Sequence, residues 1–291
     1  MSDEKRSILI QLDSDLHPSV FDRVVAIDAG VDELFSYGNV KPEDVRGLIH
    51  GAIFTRGGKD LKRTAVFIGG SDVAAGEKLL AEVRKHMIPD FGLRVSVLMD
   101  SNGANTTAAA AVRAAARHVV FNQTKALVLA ATGPVGQRVA LLLAKEGADV
   151  RIGSRQLARS AAVCEAIQSK VPGARVEPRA TGSEAELKDS LAGRSLVIAA
   201  GAAGIVLLPK AVRGASADLK VAIDLNAVPP LGVEGIDVTD KAVQRDGVIG
   251  YGAIGVGGTK MKIHKAAVAR LFESNDQVLD AEEVYALAQG I

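Results

Sequence analysis

The chain has 291 residues, of which 48% are hydrophobic and 24% charged, and its 35 Lys and Arg against 34 Asp and Glu leave a formal net charge of +1. At about 100 to 200 residues per domain this length holds roughly two domains, and the composition excludes a disordered or fibrous chain. The absence of a basic excess, with 3% aromatic residues and no Trp, argues against a nucleic-acid partner, which needs cations to displace counterions and rings to stack bases.

The single cysteine, Cys164, has no mate for a disulfide or a Cys-x-x-Cys site, so a reducing, cytoplasmic setting is expected. The N-terminal stretch MSDEKRSILIQLDSD carries no signal-peptide pattern, and no segment supplies the ~18 unbroken apolar residues of a membrane span. No membrane partner is expected.

In chain order, Ser7 to Leu12 reads as a strand, and Pro18 to Ala29 has the apolar stripe of a helix. A second helix opens at Lys41-Pro-Glu-Asp44, with proline in the first turn and acids favouring the N-terminus. Thr64 to Gly70 is a strand, Asp72 to Met87 a helix and Arg94 to Met99 another strand. Asn102 to Val120 is alanine-rich and reads as a connecting helix. Beyond Lys125 the alternation is regular, with strands at Ala126 to Ala130, Val150 to Gly153, Arg175 to Pro178, Leu196 to Ala200 and Val221 to Leu225. Helices at Val135 to Lys145, Ala158 to Ser169 and Glu184 to Leu191 separate the first four of them. The glycine-rich stretch Gly250 to Gly258 then leads into a helix from Thr259 to Glu273, and Ala281 to Ala288 reads as a terminal helix. The expected fold class is α/β: two α/β domains, the C-terminal one a Rossmann-type parallel sheet, with an interdomain cleft. The expected boundaries are 1–100 for an N-terminal substrate domain, 101–120 for the connecting helix and 121–270 for the dinucleotide-binding domain. Residues 271–291 form a C-terminal helical segment free to pack back on the first domain.

The strongest motif is Ala126-Leu-Val-Leu-Ala-Ala-Thr-Gly-Pro-Val-Gly136, an apolar strand entering a glycine turn and a helix. Against the dinucleotide fingerprint G-x-G-x-x-G it reads Ala131-Thr132-Gly133-Pro134-Val135-Gly136, with alanine in place of the first glycine. Gly133 lets backbone approach a pyrophosphate, Gly136 lets the helix close on the strand, and the helix N-terminus supplies N–H groups for the anion. About 20 residues on, where an NAD enzyme places an acid, the strand ends Gly153-Ser154-Arg155, and Asp149 lies at its start. A hydroxyl and a guanidinium suit a 2′-phosphate, so NADP is the expected cofactor, with NAD weaker. Ala200 and Gly201, at the end of the strand Leu196 to Ala200, leave a bare surface for the nicotinamide ribose. Asp224 and Asn226, after the strand that follows, are either ligands at the sheet edge or turn-formers ahead of Pro229-Pro230. The five histidines lack the spacing of a metal site, no G-x-S-x-G elbow occurs, and Cys164 reads as core filler.

Seven segments together carry a family resemblance: Pro18-Ser-Val-Phe-Asp22, Tyr37-Gly-Asn-Val40, Thr55-Arg-Gly-Gly-Lys59, Asp100-Ser-Asn-Gly-Ala-Asn-Thr-Thr107, Thr132-Gly-Pro-Val-Gly136, Pro229-Pro-Leu-Gly232 and Gly255-Val-Gly-Gly-Thr-Lys260. In their order the chain resembles the NAD(P)-dependent methylene-tetrahydromethanopterin dehydrogenases of one-carbon-metabolising bacteria, over nearly its whole length. The resemblance implies reversible oxidation of the methylene bridge of methylene-tetrahydromethanopterin to the methenyl form, with hydride passed to a nicotinamide. It also implies a small tetrahydropterin substrate held in the interdomain cleft and a homo-oligomer, namely a trimer. Some relatives also accept methylene-tetrahydrofolate. The chemistry fits the inventory, because a nitrogen lone pair stabilises the amidinium cation left by hydride loss, so the protein's task is placement and exclusion of water without metal or obligatory base.

Phe21 and Asp22 open the first helix, and Ser101, Asn102, Asn105 and Thr106 precede or open the connecting helix; both sets are expected to face the pterin, the ring by stacking and the polar groups by hydrogen bonds. The alternative is that Phe21 is core and Asn102 a cap. Lys260, read as opening a helix after a mobile glycine segment, is the candidate catalytic residue, in a positioning role, because the Gly-Gly-x-Lys pattern matches the family. The competing activity is a shikimate-type NADP-dependent alcohol dehydrogenase, which would need a Lys and an Asp on the substrate hydroxyl; Lys59 and Asp100 are the candidates.

Overall fold

Runs of apolar residues bounded by glycine and proline become strands buried on both faces, and the helices between them return the chain so that consecutive strands lie parallel. The computed structural model describes residues 5–291, so the first four residues of the N-terminal stretch lie outside the described residues. The chain forms two units: one takes the described residues up to Thr106 together with Met261–Ile291, the other Thr107–Lys260.

The first unit contains β1 (Ile8–Asp13), α1 (Val20–Asp28), β2 (Glu33–Tyr37), α2 (Val45–Phe54), β3 (Thr64–Gly69), α3 (Val73–Lys85) and β4 (Ser96–Met99). The chain leaves it within α4 (Ala104–Ala115). The second unit holds β5 (Lys125–Leu129), α5 (Pro134–Lys145), β6 (Asp149–Ser154), α6 (Leu157–Lys170), β7 (Val176–Ala180), α7 (Glu184–Leu191) and β8 (Leu196–Ala199). It continues through α8 (Lys210–Gly214), β9 (Val221–Asp224), β10 (Lys241–Arg245) and β11 (Val248–Tyr251). The chain returns to the first unit within α9 (Ala253–Arg270) and ends with β12 (Val278–Leu279) and α10 (Ala281–Ala288).

The first sheet is parallel throughout, in the order β12-β4-β3-β1-β2. Its order reverses at β1 and β3, the usual place for a ligand crevice, yet here the loops close on each other. A Cβ on Gly70, whose φ is +95°, would lie 2.1 Å from Ser14 Oγ. The fully buried Asp13 carboxylate accepts from the backbone N–H groups of Asp15 at 2.9 Å and Ser19 at 3.1 Å, which fixes the loop into α1. The main core of this unit, with Leu12, Ile49, Ile53, Val66, Ile68, Leu79 and Val97, lies between the sheet, α2 and α3.

The second sheet runs β10-β11-β9-β8-β5-β6-β7, parallel except for the β10–β11 pair. Beyond Lys125 the sequence expectation had no β10, β11 or α8, and in the first unit it had no β2 or β12. The β10–β11 hairpin turns on Asp246 (φ +51°) and Gly247 (φ +83°), the left-handed pair a two-residue turn requires. The glycine run before Lys260 also differs from the expected loop. Gly255, Gly257 and Gly258 lie inside α9, which starts at Ala253, so Lys260 sits mid-helix and does not open one. The reason is packing: a Cβ at Gly255 would overlap the Asp240 carbonyl oxygen at 1.7 Å, and one at Gly252 would meet the Asp237 carbonyl at 2.1 Å. Gly252 and Gly255 serve close approach to the 237–240 backbone, whereas Gly257 and Gly258 have open space where a Cβ would sit.

Candidate functional site

In the second sheet the strand order reverses between β5 and β8, so the loops leaving their carboxyl ends diverge and open a crevice. Ala130, directly after β5, adopts φ +53°; the left-handed turn that the fingerprint assigns to its first glycine is therefore made one residue before Ala131. Ala131 is buried, and its N–H donates to the Gly153 carbonyl at 2.9 Å, stitching the turn to β6. Gly133 caps α5 with no side-chain hydrogen bond, and Pro134 occupies the first helical position, so the N–H groups of the opening turn are left for a ligand. Gly136 is constrained by backbone: a Cβ there would lie 2.7 Å from Ala131 Cα and 2.8 Å from the Ala130 carbonyl. The Gln137 amide donates to the Thr132 carbonyl at 2.8 Å and braces the loop from outside.

A cavity of about 480 Å³ opens here. The β5 turn contributes Ala130 and Thr132; the junction of β6 and α6 contributes Ser154, Arg155, Gln156 and Arg159; Thr181 follows β7. The loop after β8 contributes Gly201, Ala202, Ile205 and Leu207. One wall is thus apolar and the other carries two guanidinium groups, and none of the lining residues is acidic. Among the described residues neither Arg155 nor Arg159 pairs with a carboxylate. These features fit a dinucleotide: an apolar slot for a flat ring, orphan N–H groups for a pyrophosphate and cations for a further anion.

Of the residues expected to bind cofactor, Thr132, Ser154, Arg155 and Gly201 line this cavity, while Gly133, Pro134, Val135 and Gly136 build the adjoining turn and the start of α5. Ala200 precedes Gly201, and its carbonyl lies 3.9 Å from where a Cβ on Gly133 would sit, so the β5 and β8 ends adjoin. Asn226 is engaged elsewhere. It is 5% exposed; its amide donates to the Pro230 carbonyl at 3.2 Å and its side-chain oxygen accepts from Val228 N–H at 3.0 Å, holding the loop of the cis Pro229-Pro230 bond. Asp224 anchors the same loop, accepting from Asn226 N–H at 3.0 Å and Val233 N–H at 2.9 Å. Burial pushes its carboxyl pKa up, and the N–H groups of Val233, Asn226 and Gly232 offset part of that. Arg159, Gln156 and Thr181 are additions from the structure; the signal for Arg159 is a second cation four residues beyond Arg155, in the first turn of the helix that follows the strand.

In the first unit, Phe21 stands half exposed at the N-terminus of α1, its ring 6.3 Å from that of His264, which stacks on buried Phe67 at 5.7 Å. Asp22 lies in the same first turn, its N–H donating to Ser19 Oγ. Asn102 is exposed at the end of β4 in a left-handed conformation, φ +54°. Ser101, Asn105 and Thr106 are buried and their side chains are committed internally. Ser101 Oγ donates to the Gly69 carbonyl at 2.8 Å, Asn105 Nδ2 to the Met99 carbonyl and Asp280 Oδ1, and Thr106 Oγ1 to Asp100 Oδ2 at 2.6 Å. Lys260 is half-buried in α9 and is not among the residues lining the cavity. Cys164 is buried, and burial first of all pushes its thiol up to about 11, which leaves it unreactive.

The Lys and Asp that a shikimate-type mechanism would need do not meet. Lys59 precedes β3 and so lies at the amino edge of the first sheet, whereas Asp100 follows β4 at the carboxyl edge. Asp100 is also buried, accepting from the N–H groups of Asn105 and Thr106. Among the described residues no group of His, Cys, Asp and Glu is placed to hold a metal ion, and no helix is long and apolar enough to cross a membrane.

Residues 20–102 match the family described as methylene-tetrahydromethanopterin dehydrogenase, N-terminal. The fold resembles quinate dehydrogenase from Corynebacterium glutamicum in complex with NAD, with TM-score 0.53 and 13% identity over 98% of this chain and 99% of that one. It also resembles shikimate 5-dehydrogenase from Listeria monocytogenes, with TM-score 0.52 and 14% identity over 99% and 98%. At such identity these show a shared α/β dehydrogenase fold. In sequence the chain is 44% identical to the bifunctional protein MdtA of Methylorubrum extorquens over 98% of both chains. It is 30% identical to the NAD(P)-dependent methylenetetrahydromethanopterin dehydrogenase of the same organism, over 97% of this chain and 98% of that one. The chain belongs to the NAD(P)-dependent methylene-tetrahydromethanopterin dehydrogenase family, a family of oxidoreductases.

Proposed function

We propose that this chain oxidises the methylene bridge of methylene-tetrahydromethanopterin reversibly to the methenyl form, with NADP as the preferred hydride acceptor and NAD the weaker one. The observation that carries the reading is the acid-free, arginine-bearing cavity at the β5–β8 switch point, in a chain of this family. The nicotinamide, when bound, supplies the hydride acceptor. The chain's own residues position it: the Gly133–Pro134 turn brings the backbone N–H groups of Val135 and Gly136 to the pyrophosphate, Ser154 and Arg155 receive the 2′-phosphate, and Ala200 and Gly201 keep the ribose wall free of side chains. Phe21, Asp22 and Asn102 are the proposed contacts to the pterin, and buried Ser101, Asn105 and Thr106 fix the loop that presents Asn102. Asn226 acts through its loop, holding the end of β9 in place.

Removing Arg155 separates the two cofactors. A charge-assisted hydrogen bond is worth about 1.5 to 3 kcal/mol, so Arg155→Ala should weaken NADP binding about ten- to a hundredfold and leave NAD nearly unchanged. Equal losses for both in a fluorescence titration would remove Arg155 from the phosphate site.

Lys260 orients the pterin and carries no obligatory proton, since hydride loss from a carbon between two nitrogens needs none. Lys260→Ala should then lower kcat/KM by about 1 to 3 kcal/mol in transition-state terms, with little change between neutral and mildly alkaline pH. A pH-dependent loss restored by added amines would make it an acid–base catalyst. Wild-type turnover would take it out of the site.

Association into a homo-oligomer, a trimer, belongs to the same reading. It is supported by α1, which exposes Val20, Val24 and Ile27 at 66%, 55% and 53% along one face. The test of the function is an assay of NADP and NAD reduction with methylene-tetrahydromethanopterin, methylene-tetrahydrofolate and shikimate side by side. Turnover of the methanopterin derivative with NADP supports the reading, and turnover of shikimate alone contradicts it.

A further inference from the structure

We propose that copies of this chain join head to tail, the α1 ridge of each seating in a groove between α2 and β2 of the next. The inference rests on the homo-oligomer reading above and names the surface that receives α1. To connect β2 with β3, α2 must cross β1, which leaves the edge strand β2 uncovered beside it. Phe35 and Tyr37 of β2 stand nearly half exposed there, in register with Ile10 and Leu12 on the α2 side of the sheet. A cavity of about 290 Å³ opens between Phe35, Tyr37, Gly47 and Gly51. It adjoins a second of about 330 Å³, with which it shares Tyr37, Gly47 and Leu48. The groove so formed runs along α2 from Asp44 to Thr55, about 17 Å, enough for the nine-residue α1, which is about 14 Å long.

Glycine is a poor helix former, yet α2 places two of them four residues apart on the groove side. Among the described residues nothing lies within 4 Å of where their Cβ atoms would sit, so no contact inside the chain accounts for them. A partner helix does. Bare backbone at this spacing forms a groove that accepts a ridge of side chains also spaced by four. The α1 helix carries that ridge in Val20 and Val24, continued by Ile27 and, ahead of the helix, by Leu16, all four more than half exposed and uncharged. The exposed apolar area of ridge and groove comes to about 600 Å², and with the polar share of an ordinary interface to roughly 1,000 Å², where specific contacts begin. Ridge and groove are different surfaces, so a copy that gives its ridge to one neighbour keeps its groove for another. Such a contact is heterologous, and its closure makes a ring, of which the trimer is the smallest.

The test is native mass spectrometry of the full chain, with circular dichroism to confirm that each variant is folded. Gly51→Leu fills the groove and Val24→Glu puts a charge on the ridge; each alone should weaken assembly about a hundredfold or more and leave single chains. Gly47→Leu and Val20→Glu repeat the two arms at separate positions, should either first variant fail to fold. Mixing Gly51→Leu with Val24→Glu should yield a two-chain species, because the intact ridge of the former enters the intact groove of the latter and nothing further can add. Phe91→Glu, at an exposed residue outside both surfaces, should leave the oligomer whole. If Val24→Glu dissociates the oligomer while both groove variants leave it whole, α1 meets some other surface: the proposal is overturned and the homo-oligomer reading stands. Failure of the mixed variants to pair would overturn it as well. A single chain for the unaltered protein would end the homo-oligomer reading and this inference together.

Discussion

Gly136→Val is expected to abolish dinucleotide binding and to destabilise the second unit. The atoms that a side chain would meet, Ala131 Cα at 2.7 Å, the Ala130 carbonyl at 2.8 Å and the Ala131 carbonyl carbon at 3.2 Å, all belong to backbone and cannot rotate aside. Relief requires α5 to move off β5 or the turn at Ala130 to open, and either displaces the N–H groups proposed to receive the pyrophosphate. Overpacking of a close contact costs about 1 to 3 kcal/mol, with backbone at the upper end. We expect a loss of more than a hundredfold in NADP affinity together with a lower melting temperature. Gly133→Ala is the informative comparison, because a Cβ there has only ordinary contacts, 3.6 Å from the Ala130 carbonyl and 3.9 Å from the Ala200 carbonyl. That variant should fold normally and lose affinity only through the space it takes beside the ligand. Normal NADP binding by Gly136→Val would show that α5 does not carry the pyrophosphate.

Asp224→Ala should be the most destabilising single change at the far side of the crevice. The carboxylate is 1% exposed and accepts from the N–H groups of Asn226 and Val233, which fixes both ends of the loop around the cis proline pair. Without it, buried N–H groups lose their acceptor at about 1 to 3 kcal/mol each, so a total near ~3 kcal/mol is expected in urea unfolding. The dependence on pH has a definite sign. Burial raises the folded-state pKa above the ordinary value of 3.8, so the contribution of this group is fullest below that value and declines as pH rises through the raised pKa. The variant's deficit should therefore narrow as pH rises from acid toward neutrality. A deficit that widens over that interval would mean that the carboxylate's hydrogen bonds outweigh its desolvation.

The parallel strands were legible because strands covered on both faces must be apolar end to end, as in Leu127 to Leu129 and Leu196 to Ala199. Ala281 to Ala288 was found with its bounds, since Asp280 and Glu283 form a capping box. β10 was not, because Lys241 to Arg245 is exposed along nearly its whole length and its pairing comes from β11, not from a buried face. Its Asp246-Gly247 turn was nonetheless a readable hairpin signal. The edge strand β12 has two residues and is defined only by pairing with β4, a partner about 180 positions away in sequence, which no local pattern encodes.

The same division runs through the site. The glycine turn and Arg155 were legible because local backbone geometry and charge specify them. Gly255, in the run before Lys260, answers to a tertiary contact with the Asp240 backbone that no local pattern encodes, whereas Gly257 and Gly258 have open space at Cβ and nothing in the structure explains them. Asn226 and Asp224 carry the residue types of a ligand set as well as those of a turn, and only their hydrogen bonds separate the two. Lys59 and Asp100 looked like a pair until the strand directions put them at opposite edges of one sheet.

In the proposed function, hydride passes directly from the methylene carbon to NADP, with the protein supplying placement alone. It is tested by a single turnover with methylene-tetrahydromethanopterin deuterated at the bridging carbon, followed by mass spectrometry of the reduced cofactor. One deuterium on the nicotinamide ring is expected, with a rate slowed by the label when chemistry limits turnover. Reduced cofactor free of deuterium, or label exchanged with solvent, would contradict it.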